Sequence, residues 1–232
     1  MNNKHEIIFE NTFKLKLYEF PVDLFDNLKK KVKDFEKNTF FKEKIKNFNK
    51  TLAGNLEEEY RFDFDKDIDI KKFILSETND YYNEFYNIKN SNLIIKDSWI
   101  NFQKKYEYSP LHTHDGDLSF VIWISIPYDL EKELNYKNCV NSNCPSNSLF
   151  SFLIVNNFGN IVTQHINVDK TFEGKMIIFP SKMHHQVYPF YTSNNYRISI
   201  SGNLISKSFS YTASKNTINI MNSDLKNKFI YE

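Results

Sequence analysis

The chain has 232 residues, a length that suits one large domain or a core with a helical extension. Hydrophobic residues make up 41% and aromatic residues 16%, enough for a sizeable core, and a formal net charge of +1 gives no electrostatic reason to seek nucleic acid or an anionic membrane. No apolar run reaches the length of a membrane span and Met1 to Glu6 lacks a signal-peptide core, so a cytoplasmic protein is expected.

Lys14 to Phe20 has the length and alternation of a first strand. Pro21 followed by Asp23 starts a helix, on which Phe25, Leu28, Val32 and Phe35 form one apolar stripe. After Thr51-Leu52-Ala53-Gly54-Asn55-Leu56 comes a charged stretch from Glu57 to Asp69. Ile70, Ile74, Tyr81 and Phe85 then repeat the helical spacing, interrupted by Thr78. From Leu93 the pattern changes to strand-length apolar runs: Leu93 to Gln103, Leu118 to Ile126, Leu149 to Val155, Ile161 to Val168, Lys175 to Phe179 and Tyr196 to Leu204. Closely spaced strands without intervening helices predict an antiparallel jelly roll, a mainly β fold with α, whose outer face needs the N-terminal helices as cover. The expected division is 1–92 as a helical and strand part packed on the barrel, 93–206 as the jelly-roll core, and 207–232 as an unassigned tail.

The polar motifs sit in the jelly-roll half. His112 and His114, two apart, project from one face if the strand there is extended. A third ligand from a distant strand completes a three-point facial metal site with open positions for substrate and dioxygen. His184 and His185 are the distal candidates; neighbours on a strand face opposite ways, so only one can serve, and alternation alone does not choose. Iron(II) sites of this kind commonly carry a carboxylate where His114 stands, and Asp117 is the alternative third ligand. His165 reads as an exposed strand residue, and Cys139 and Cys144 as loop thiols without a role.

Only Arg61 and Arg197 are arginines, every other basic residue being lysine, so an arginine at a site position stands out for its fork. Arg197 and Ser199 share a strand face and together suit a carboxylate. A turn through Phe190 to Asn195 is expected to lay this strand beside the one carrying His185, with Arg197 roughly 10 Å from it at strand rise. Trp99 and Asn101, on one face of the strand before the histidine pair, are placed to touch co-substrate or substrate. The whole reads as a non-haem iron(II) oxygenase that uses 2-oxoglutarate.

These blocks resemble the 2-oxoglutarate- and iron(II)-dependent oxygenases, prolyl-hydroxylase-like, especially a branch common in tailed bacteriophages and marine bacteria. The resemblance runs through Ser98-Trp99-Ile100-Asn101, Pro110-Leu111-His112-Thr113-His114, Leu118 to Trp123, Glu173 to Ser181, His185-Gln186-Val187 and Arg197-Ile198-Ser199-Ile200-Ser201-Gly202-Asn203. Leu52-Ala53-Gly54-Asn55 resembles the family's N-terminal part. The resemblance implies a double-stranded β-helix, His185 as distal ligand, and Arg197 with Ser199 on the 2-oxoglutarate carboxylate. It also implies Fe(II), 2-oxoglutarate and dioxygen as cofactor and co-substrates, with succinate and carbon dioxide as co-products. His114 departs from the Asp or Glu usual in the wider superfamily. The alternatives are a cupin-type metalloenzyme that ignores 2-oxoglutarate and a non-catalytic jelly-roll binding or phage structural module.

Overall fold

The computed structural model describes residues 5–7 (as backbone), 14–38, 52–65, 67–88, 92–156 and 158–206. Strands β1 (His5–Ile7) and β2 (Leu15–Glu19) precede helix α1 (Val22–Lys37), and β3 (Glu59–Arg61) precedes helix α2 (Ile68–Tyr86). Then follow β4 (Leu93–Gln103), β5 (Ser109–His112), β6 (Leu118–Ser125), a short helix α3 (Leu130–Leu134), β7 (Phe150–Val155) and β8 (Ile161–Ile166). The last strands are β9 (Lys175–Pro180), β10 (His184–Val187) and β11 (Arg197–Ser206). The tail 207–232 lies outside the described residues.

The strands form two antiparallel sheets, one ordered β1-β2-β9-β6-β11-β4-β3 and the other β5-β10-β7-β8. From β4 onward the chain passes repeatedly from one sheet to the other, the jelly-roll pattern the strand spacing predicts. The period of two decides which side chains go where. On β6, Phe120, Ile122 and Ile124 point to one face and pack in a cluster with Leu28 and Val32 of α1 and Ile70 and Ile74 of α2. Val121 and Trp123 point to the other face and pack with Phe150, Phe152 and Ile154 of the second sheet.

One expectation changes. β10 and β11 are not neighbours: β10 pairs with β5 and β7, whereas β11 lies between β4 and β6 in the other sheet. The segment expected to make a hairpin instead carries the chain across the barrel. Buried Glu133 holds it there, its carboxylate accepting the backbone N–H of Tyr191 and Thr192 and the Thr192 hydroxyl. The charged stretch from Glu57 to Asp69, left without an element by the sequence, supplies β3, which extends the large sheet beyond β4 with Glu59 opposite Asn101. Four-residue strands β5 and β10 were too short and too polar to stand out.

β11 is packed so closely that only a glycine fits at its centre. A Cβ on Gly202 would lie 2.6 Å from the Phe120 ring and 2.8 Å from the Asp97 carbonyl oxygen, a main-chain atom that cannot step aside alone. Gly202→Ala is therefore expected to cost about 1–3 kcal/mol of stability, read from the denaturant midpoint at unchanged slope. An unaltered midpoint would mean that β4 and β6 yield more easily than this packing implies.

Candidate active site

β5 and β10 pair so that His112 lies directly opposite His185. On β10 the alternation separates the neighbouring histidines: His184 is exposed and His185 is 2% exposed, directed into the barrel. His114 is not on a continuing strand, because β5 ends at His112. The chain turns there through Gly116 at φ 110°, and the His114 N–H donates to the Ser181 carbonyl at 2.8 Å. The turn still delivers the ring to the same place. The ring centroids of His112, His114 and His185 stand 4.8, 4.3 and 4.9 Å apart, and one ligating atom of each lies within 4.8 Å of the others.

Their hydrogen bonds aim the lone pairs. His185 Nδ1 donates to the Met183 carbonyl at 2.9 Å and His112 Nδ1 to the Pro110 carbonyl at 2.6 Å, leaving both Nε2 atoms free to accept a metal. His185 Nε2 faces His114 Nε2 at 3.2 Å. Burial, reinforced by the neighbouring imidazoles, pushes His114 down to about 3 and His185 well below the ordinary value, and burial lowers His112 as well. All three are therefore neutral at neutral pH, the form that binds metal.

The triad opens onto a cavity between the sheets, lined across from it by Trp99, Asn101 and Gln103 of β4 and Arg197, Ser199 and Ser201 of β11. These strands are in register, with Arg197 opposite Gln103, Ser199 opposite Asn101 and Ser201 opposite Trp99. Trp99 touches His114, ring centroids 5.3 Å apart. Gln103 is four residues further along β4, roughly 13 Å at strand rise, so the arginine end of the cavity is well separated from the metal end. Arg197 is 4% exposed, and each of its N–H groups is used. Nε and one Nη2 hydrogen go to Gln103 Oε1 at 3.0 and 2.7 Å, the second Nη2 hydrogen to the Tyr188 carbonyl, and Nη1 to Tyr128 Oη and the Ser148 carbonyl. All these acceptors are neutral. Among the described residues this buried cation has no carboxylate partner.

Asn101 Nδ2 donates to Ser199 Oγ at 3.2 Å, while Asn101 Oδ1 is buried without a hydrogen-bond partner among the described residues. Asp117 lies outside the histidine group: its carboxylate accepts the Ser206 N–H at 2.7 Å. His165 sits on β8, its Nδ1 2.6 Å from Ser151 Oγ and its Nε2 3.5 Å from the exposed Cys144 thiol. Cys139 is buried, and both cysteines are free.

A family model described as 2OG-Fe(II) oxygenase matches residues 97–203, the span from the strand before the histidines to the end of the arginine strand. The chain is a 2-oxoglutarate- and iron(II)-dependent dioxygenase. Its cofactor is Fe(II) and its co-substrates are 2-oxoglutarate and dioxygen. Among solved structures, a Pseudomonas putida prolyl-4-hydroxylase is similar at a TM-score of 0.54 and 13% identity, covering 84% of this chain and 94% of that one. AviO1 from Streptomyces viridochromogenes Tue57 is similar at a TM-score of 0.50 and 10% identity, covering 83% of this chain and 90% of that one. At such identities the likeness is one of fold. No curated protein matches the chain. Among the described residues no helix is long and apolar enough to cross a membrane.

The residues present fit this cofactor chemistry. Three neutral imidazole nitrogens converge on one point, and a buried cation with polar neighbours lies further along the same cavity. The sequence reading missed Gln103, Tyr128 and Ser148, which carry no motif and are recognisable only by what they do to Arg197. It also missed Glu59, a carboxyl 3% exposed that lines the cavity beside Asn101. Tyr60, Phe62 and Phe64 alternate with charged neighbours after it, and that period of two was the available signal.

The two distal histidines separate in a metal titration. His185→Ala is expected to remove stoichiometric Fe(II) or Co(II) binding and His184→Ala to leave it intact; the reverse would displace the site from the barrel interior. The lowered imidazoles also fix a pH dependence. In the unfolded chain they take a proton near 6.5, whereas in the folded chain His114 does so only near 3. Unfolding thus takes up protons in that window, and the metal-free protein should lose stability as pH falls from about 6.5, keeping it in full above. Denaturant midpoints at several pH values measure this, and His114→Asn should flatten the slope.

Proposed function

We propose that His112, His114 and His185 hold the iron through Nε2, and that Arg197, helped by Ser199 and Asn101, receives the distal carboxylate of 2-oxoglutarate. The observation that carries this reading is Arg197 itself: a guanidinium buried in the triad's own cavity with no carboxylate partner among the described residues. A buried cation without a counter-ion is costly, and a carboxylate that accepts two N–H bonds from its fork offsets that cost. The Nε–Nη2 edge now closes on one oxygen, Gln103 Oε1, in the place such a carboxylate takes. Gln103 yields there, while Tyr128 Oη and the Ser148 and Tyr188 carbonyls keep the guanidinium plane fixed.

Bound iron(II) with 2-oxoglutarate and dioxygen supplies the oxidising power for C–H hydroxylation. The chain's own part is to orient and enclose. The Met183 and Pro110 carbonyls fix the imidazole tautomers, the phenyl rings of Phe150, Phe152 and Phe179 pack against His185, and Trp99 walls the side of His114. We take the substrate to be a protein side chain, on the likeness of the motifs to prolyl hydroxylases and of the fold to the Pseudomonas putida enzyme. The same motif likeness supports our assigning it to the bacteriophage and marine-bacterial branch, and we take it to act in the cytoplasm. Helices α1 and α2 serve as cover for the outer face of the large sheet, with residues 93–206 as the catalytic core.

Anaerobic addition of 2-oxoglutarate to the Fe(II) protein should raise the weak visible charge-transfer band of the chelate. Arg197→Lys keeps the charge but loses the fork, and should weaken 2-oxoglutarate by tenfold or more with metal affinity nearly unchanged. Gln103→Leu should act in the opposite direction and tighten 2-oxoglutarate severalfold, since no amide oxygen then competes for the fork. Metal binding with no band in the wild-type protein would favour a cupin-type enzyme. Weaker 2-oxoglutarate binding in both variants would make Arg197 a structural residue.

A further inference from the structure

The small sheet has two faces, and the outer one carries a side-chain cluster that the metal site does not use. On β7, Phe150, Phe152 and Ile154 pack inside the barrel, so Ser151 between them points outward. Ser151 lies opposite His165 of β8, and its hydroxyl stands 2.6 Å from His165 Nδ1. The other ring nitrogen, Nε2, faces Cys144 Sγ at 3.5 Å. The loop that brings Cys144 there is held by its own polar groups. The Cys144 N–H donates to Ser142 Oγ and the Ser146 N–H to Cys139 Sγ, each at 3.0 Å. The Tyr188 ring stands edge-on to His165, centroids 6.2 Å apart, and Gln186 Nε2 donates to its hydroxyl. Ser151 is 0% exposed, whereas the Cys144 thiol is open to solvent. The two thiols of the chain thus differ: Cys139 is buried, and only Cys144 is hydrogen-bonded to an imidazole.

We propose that Cys144, His165 and Ser151 form a redox-modification site, at which hydrogen peroxide oxidises the Cys144 thiol to a sulfenic acid. Nucleophile, base and orienting group stand in hydrogen-bonded succession, the order that activates a thiol. With the ring proton on Nδ1 and donated to Ser151 Oγ, Nε2 turns its lone pair to Sγ. Burial lowers the pKa of His165, so the ring is neutral at neutral pH and able to take a proton. As Sγ attacks one peroxide oxygen, the thiol proton passes to Nε2; an S–O bond forms and the O–O bond breaks. The departing hydroxide takes that proton from Nε2 and leaves as water. Sulfur gives up two electrons and the peroxide receives them, so thiol and peroxide yield sulfenic acid and water. The cluster lies on the face of the small sheet turned away from His185 and does not rest on the oxygenase reading.

Two measurements on the full chain test this. In the first, the Fe(II) protein is alkylated anaerobically with iodoacetamide, and each cysteine is followed by peptide mass mapping. Cys144 should react at pH 7 at least tenfold faster than N-acetylcysteine, with an apparent pKa below the ordinary thiol value of about 8.5, and Cys139 should stay unmodified. His165→Asn should return the Cys144 rate and its pH profile to those of the free thiol, and Ser151→Ala should slow the reaction severalfold. In the second, the protein is kept iron-free with a chelator, so that no iron diverts the oxidant, and receives hydrogen peroxide together with dimedone. One dimedone adduct should form, on Cys144, and at least tenfold more slowly in His165→Asn. Cys139 reports on the fold: a variant in which it stays protected has kept the loop, and His165→Gln takes the place of His165→Asn where it does not. A Cys144 rate no greater than that of N-acetylcysteine overturns the inference. So does a His165→Asn variant that keeps the wild-type rate and pH profile, or an adduct that forms on Cys139 in preference to Cys144. Failure to bind 2-oxoglutarate would sink the oxygenase reading and leave these rates unchanged.

Discussion

A guanidinium placed inside a barrel must find an acceptor for every N–H, and meeting that demand at Arg197 determines much of the structure around it. Four segments far apart in sequence converge on the one side chain: Gln103 at the end of β4, Tyr128 after β6, Ser148 before β7 and Tyr188 after β10. Two of the acceptors are main-chain carbonyls, so the backbone itself is held, not only side chains. Ser148 adopts φ 64°, an uncommon conformation for a residue with a Cβ, at the point where its carbonyl turns to Arg197. Polar groups buried to this extent are useful only when all are satisfied, which makes the cluster a strict specification of how both sheets close.

The same cluster extends to the segment before β3. Gln103, which closes the arginine fork, also donates to the Glu107 carbonyl, and the Glu107 carboxylate accepts N–H bonds from Glu57 and Lys104. Glu57 belongs to the segment before β3. Gln103 and the backbone of Glu57 are thus joined through Glu107 by hydrogen bonds with defined partners.

The long, regular elements were legible because their periodicity is strong. The two helices and the strands β4, β6, β7 and β9 follow directly from apolar spacing. What periodicity could not convey was which sheet each strand joins. β10 and β11 are close in sequence and look like a hairpin, yet buried Glu133, 0% exposed, fixes the crossing between them. Nothing local marks that carboxylate as a tether of residues nearly sixty positions away. The site was legible for a related reason. Histidine and arginine are scarce in this lysine-rich chain, so they carried information that Glu59, one of many acids, and Gln103 did not. Alternation left His184 and His185 undecided until the pairing of β10 with β5 and β7 settled which faces inward.

Burial of the triad does two things at once. Desolvation holds the three imidazoles neutral, so a metal arriving at neutral pH has no proton to displace. A divalent cation held by these three neutral ligands, as proposed, would keep its full charge, where a carboxylate ligand would cancel part of it. In a cavity of low dielectric that positive field, together with the buried Arg197, would favour a dianionic co-substrate more strongly than either centre alone. The departure at His114 from the commoner carboxylate is thus no simple loss of a ligand. With the ligand set proposed above, it would shift the balance of charge toward the co-substrate.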